Sequence, residues 1–94
     1  MKTRFDGLSE FISRRGRMKV LTILLEELKN PAEVAKRLNI TRNAVYGWIK
    51  DKKRHPSNEN AREMLKILND ENEKKIREIL IDELHIFQKL VFDF

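Results

Sequence analysis

The chain has 94 residues, 40 % hydrophobic and 37 % charged, which suits one domain with a modest core and is too apolar for a disordered chain. With no cysteine and only two histidines, disulfide frameworks, thiol catalysis and thiolate metal sites are excluded, and a structural zinc site lacks ligands. The net charge of +5 is uneven, with 14 Lys/Arg against 6 Asp/Glu in residues 1–58 and 6 against 9 in residues 59–94, the asymmetry expected where part of a surface meets a polyanion.

From the start of the chain, Asp6-Gly7 reads as a turn and Ser9 as the cap of a short helix carrying Phe11 and Ile12, interrupted at Gly16. From about Arg17 to Lys29, Met18, Leu21, Leu24, Leu25 and Leu28 make one apolar stripe of an amphipathic helix. Asn30-Pro31-Ala32-Glu33 is a helix start, with a side-chain cap, a proline at the first helical position and a carboxylate placed to reach back. Val34, Ala35 and Leu38 line that helix, and Asn39, tolerant of left-handed backbone, ends it.

Thr41 caps the next helix, roughly 42–50, with Val45, Trp48 and Ile49 on its inner side. A basic loop, Lys50-Asp51-Lys52-Lys53-Arg54-His55-Pro56, leads to Ser57 and a helix with Ala61, Met64, Leu65 and Leu68 inward. A break is predicted at Asn69-Asp70, with Asp70 and Glu73 as a capping pair, before a last helix over about 71–92. No apolar run is long enough to span a bilayer, and MKTRFDGLSEF has no signal-peptide core. A cytoplasmic, nucleoid-associated protein is expected. The single glutamine, the missing cysteine and the abundance of Glu, Lys, Arg and Ile resemble proteins from hot environments.

Residues 31–50, PAEVAKRLNITRNAVYGWIK, carry the strongest signal. Ala35 is small where two helices would cross, Asn39 sits at a tight turn, Ile40 plugs its base, and Val45 and Trp48 anchor the second helix. With the basic loop, Pro56-Ser57 and the Leu-rich helix to Leu68, this resembles the helix-turn-helix of the phage-repressor and Cro-like class over residues 18–68. Asn39 departs from the family's usual glycine. Gly47 departs too, since it costs a helix roughly 1 kcal/mol. It either lets DNA approach the backbone or relieves packing beside Trp48. A winged variant is disfavoured because residues 51–60 lack alternating β-branched side chains.

The resemblance implies an all-α, five- to six-helix single domain. The turn signals and apolar stripes divide the chain into a DNA-binding part, residues 1–69 with the motif at 31–50, and a C-terminal amphipathic dimerisation helix over 70–94. The resemblance implies a major-groove helix presenting Arg42, Asn43, Tyr46, Gly47 and Lys50 to base edges, with Arg42 suited to guanine and Asn43 to adenine. Thr41, Lys52, Lys53, Arg54 and the cluster Arg14, Arg15, Arg17 are expected at phosphates. In the last helix, Leu80, Leu84, Phe87, Val91 and Phe94 step by 4, 3, 4 and 3, the spacing of a coiled-coil seam. With Leu90 they are the expected dimer interface; the alternative is that the helix folds back over Phe5, Leu8, Phe11 and Ile12, and both can hold at once.

No nucleophile, base and orienting group combine, and no phosphate-cradling glycine loop occurs, so no enzyme, cofactor, metal or small-molecule ligand is expected. The expected partners are double-stranded DNA and a second copy of the chain, in a transcriptional regulator with no room for a ligand-sensing domain. The alternatives are an antitoxin-like autorepressor, a chromosome-organising protein, a binder of repeated DNA like the archaeal CRISPR repeat-binding helix-turn-helix proteins, and, in a different class, a protein-interaction module whose motif is vestigial.

Overall fold

Short-range caps cut the chain into helices. A computed structural model describes residues 12–51 and 53–92. Its helices are α1 (Arg14–Leu28), α2 (Pro31–Leu38), α3 (Arg42–Lys50), α4 (Asn58–Glu71) and α5 (Glu73–Phe92), with no strand among the described residues. The expected Asp6-Gly7 turn, the Ser9 cap and the roles of Phe5, Leu8 and Phe11 lie outside the described residues.

Each helix start is a side chain accepting from a backbone N–H three residues on, replacing a bond the helix cannot make for itself. Asn30 Oδ1 accepts from Glu33 N at 2.8 Å, Thr41 Oγ1 from Ala44 N at 3.1 Å and Ser57 Oγ from Asn60 N at 3.2 Å. Asn39 ends α2 in the left-handed region, φ 57° and ψ 46°, as the turn residue of the motif was expected to do. Ile40 N then donates to Ala35 O at 3.0 Å, closing the turn.

Two predicted boundaries moved. α1 starts at Arg14 and runs through Gly16, capped by Ser13, whose Oγ accepts from Gly16 N at 3.0 Å. Gly16 is therefore not a break; it is buried in the first turn, against a side chain from the other end of the chain. α4 continues to Glu71, past the predicted break at Asn69-Asp70. The cap of α5 is Asn72, not Asp70: its Oδ1 accepts from Lys75 N at 3.2 Å while its Nδ2 donates to Glu27 Oε1 on α1 at 2.9 Å.

The core is built on Leu21 and Leu24 of α1, Val34 of α2, Val45 and Trp48 of α3, and Met64, Leu65 and Leu68 of α4. Fully burying side chains of this size stabilises the fold by about 1.5–3 kcal/mol each. Val20, outside the predicted α1 stripe, is buried, while Met18, Leu25 and Leu28 are only half-buried. The inward face thus runs through residues 17, 20, 21 and 24.

α5 divides in two. Ile76 and Ile79 are buried, and this half packs on α1 and α4. Leu80, expected in a dimer seam, is half-buried against the domain's own core. Beyond Glu83 the helix carries exposed Leu84, Phe87, Leu90, Val91 and Phe92, with Leu90 74 % exposed. Phe94 lies outside the described residues.

Two polar ties join α5 to α1. Lys19 donates to Asp82 and holds that carboxyl below the usual carboxylate range. Glu83 is only 5 % exposed, accepts from Ser13 N at 3.1 Å and from the Ser13 hydroxyl, and lies 3.9 Å from Arg15. A carboxylate at the start of a helix also meets the positive end of its dipole. Ile12, beside Gly16, is buried.

Candidate nucleic-acid interface

α3 is amphipathic in the sense that a groove-reading helix needs. Val45 and Trp48, three residues apart, are buried, and α3 packs on α2. The opposite side exposes Thr41, Arg42, Asn43, Tyr46 and Lys50, so the expected face is brought together on one surface. The Lys50 ammonium stands 5.5 Å from the centre of the Tyr46 ring, within cation–π range. Ile49, expected inward, is 45 % exposed. With 45 and 48 at the centre of the buried side, the 100° step per residue carries 49 out of the core.

Thr41 serves two purposes at the mouth of α3. Its oxygen caps the helix, and its hydroxyl proton remains available to an acceptor outside the chain. α3 has no acidic residue in its first turn, so nothing there opposes a phosphate drawn to the helix N-terminus.

Gly47 has a neighbour that neither reading of the sequence named. A β-carbon placed on it meets the guanidinium of Arg54. The loop after α3 thus fills the space that a side chain at position 47 would occupy. Lys53 and Arg54 are exposed, as phosphate contacts would be, while Lys52 lies outside the described residues.

The N-terminal basic cluster splits. Arg14 and Arg15 are exposed, Arg15 leaning toward Glu83. Arg17 is a correction. It is 8 % exposed; its Nη1 donates to Pro56 O at 2.8 Å and its Nη2 to the Asn58 side-chain oxygen. Burial, with help from the Arg14 charge, pulls its pKa below the usual arginine value. Instead of meeting phosphate, Arg17 fastens the basic loop and the start of α4 to α1.

Sequence reasoning missed Arg17 as a fastener and Glu83 as a cap. A signal for the second existed: Ser13 three residues before Gly16, and an acid continuing the i, i+3, i+7 row of Ile76 and Ile79. Among the described residues, no group of three or more His, Cys, Asp or Glu side chains converges on a point, and no helix is long and apolar enough to cross a membrane.

A family model described as a helix-turn-helix matches residues 23–72, more than half of the chain. Comparison with curated proteins and with solved structures gives no significant match.

Proposed function

The chain belongs to the helix-turn-helix family of the Cro and phage-repressor type, a family of DNA-binding regulators, and from that premise we propose that it is a sequence-specific regulator that inserts α3 into the major groove. The observation that carries this is the division of α3, with Val45 and Trp48 in the core and Arg42, Asn43, Tyr46 and Lys50 exposed together. Arg42 offers a forked pair of donors to guanine and Asn43 a donor and acceptor to adenine. Lys53, Arg14 and Arg15 supply sequence-independent attraction to phosphate.

Selection of bound duplexes from a random pool, followed by binding at several salt concentrations, tests this. A shared motif should emerge. Arg42→Ala should then weaken the selected site about 10- to 100-fold and relax preference at one base pair. Lys53→Ala should weaken all duplexes alike and lower the salt slope by about one. Binding without preference for any sequence would leave an architectural role in place of a regulatory one. No binding even at low salt would leave a protein-interaction module.

The proposal includes a dimer through the half of α5 beyond Glu83. The support is the exposed Leu84, Phe87 and Val91, which step by 3 and 4, as positions of a two-stranded seam do. A two-fold pair would set half-sites about 34 Å apart. In sedimentation the wild type should run as a dimer and Leu84→Asp as a monomer; a monomeric wild type would refute the pairing.

A further inference from the structure

The space left by Gly47 is filled from the loop that follows α3. A β-carbon on Gly47 would lie 2.7 Å from Arg54 Nη1, 2.9 Å from Cζ and 3.3 Å from Nε. These three nearest atoms all belong to the guanidinium, so the group rests against the helix at position 47. Its placement is built by the backbone. Asp51 N donates to Gly47 O at 2.9 Å, Arg54 N donates to Asp51 O at 3.0 Å, and Lys53 N donates to Asp51 Oδ1 at 2.9 Å. The chain leaving α3 thus turns back on itself, and Arg17 holds the far end of the loop through Pro56 O.

Position 47 lies one turn from Asn43 and one turn from Lys50, on the same side of the helix. Both of those side chains are exposed. The Arg54 guanidinium therefore stands in the row that α3 would present to a groove, where residue 47 has no side chain of its own. A guanidinium carries its donors in a rigid fork that matches the O6 and N7 acceptors of guanine, which a lysine ammonium does not.

We propose that Arg54 is a specificity-determining residue, reading a guanine edge in the major groove from the position that Gly47 leaves open. The sequence alone placed Arg54 among the phosphate contacts. The inference rests on α3 being the groove helix, and its test separates the two claims.

The test measures binding of the wild type, Arg54→Ala, Arg54→Lys and Gly47→Ala to the selected duplex and to a panel of its single-base variants, with circular dichroism to verify folding. Arg54→Ala and Arg54→Lys should each lose about 10- to 100-fold on the selected duplex and lose preference at one G·C pair, other positions keeping theirs. Gly47→Ala, still folded, should flatten preference at that same pair, because the added methyl displaces the guanidinium. A uniform loss on every duplex, restored by Arg54→Lys, makes Arg54 a phosphate contact and overturns the inference while leaving the groove helix intact. A wild type without sequence preference overturns both.

Discussion

Trp48→Ala should be the most damaging single change in the chain. Trp48 is 7 % exposed, belongs to the central cluster, and with Val45 holds α3 on the domain. Truncating a buried tryptophan removes its transfer energy and leaves a cavity, a loss of about 3–5 kcal/mol. For a domain of this size that lowers the melting temperature by at least about 12 °C, monitored by circular dichroism. Because α3 packs chiefly on α2, DNA binding should be lost as well. Trp48→Phe, which keeps most of the apolar volume, should recover most of the stability. A melting temperature within a degree or two of wild type for Trp48→Ala would show that α3 is not held by this side chain.

Gly16→Ala should be nearly as costly, for the opposite reason. A β-carbon there would lie 2.3 Å from Glu83 Oε1, 2.7 Å from Glu83 Cδ and 2.5 Å from Ile12 Cγ1. Overpacking costs about 1–3 kcal/mol, and the upper end applies because Glu83 cannot withdraw without giving up both of its hydrogen bonds to Ser13. The gain in helix propensity from glycine to alanine, at most about 1 kcal/mol, does not offset this. Urea denaturation of Gly16→Ala, Glu83→Ala and the double variant checks the mechanism. The double variant should be more stable than the sum of the single losses allows, since the second change removes the atoms that the first collides with. Strict additivity would place the effect of Gly16→Ala elsewhere.

Legibility followed sequence distance. α2 and α3 were read with their boundaries because the responsible contacts span three to five residues: Asn30 to Glu33, Thr41 to Ala44, Ile40 back to Ala35. Such contacts depend on residue type at a fixed offset, and the sequence shows both. The buried pair Val45 and Trp48 was read from the same periodicity. Asn69-Asp70 carried turn-forming residues, yet the helix continued to Glu71 because Ile67 and Leu68 bury its inner face and Asn72 gains a partner on α1. Tertiary contact overrode a local preference that amounts to tenths of a kcal/mol per residue.

The rest depended on contacts that no short window contains. Gly16 looked like a break because the side chain it accommodates lies 67 positions away, at Glu83. Arg17 looked like a phosphate contact because Pro56 and Asn58 lie 39 and 41 residues further on. Gly47 looked like an anomaly until Arg54 was seen against it. In each case the residue type was noticed and its partner was not.

The joint between Ser13 and Glu83 bears on whether this binding unit is portable. The family match ends at residue 72 and begins at residue 23, inside α1. Outside it lie Val20 and Leu21, the capping Ser13, and Ile76, Ile79 and Glu83. The span that carries the family likeness is therefore shorter than the span that closes the core. Transplanted at its family boundaries, the motif would leave behind one side of its own hydrophobic interior and the clamp that joins its first helix to its last. A portable version must run at least from Ile12 to Glu83, and what travels with the reading helix is then a part of all five described helices rather than two helices and a turn.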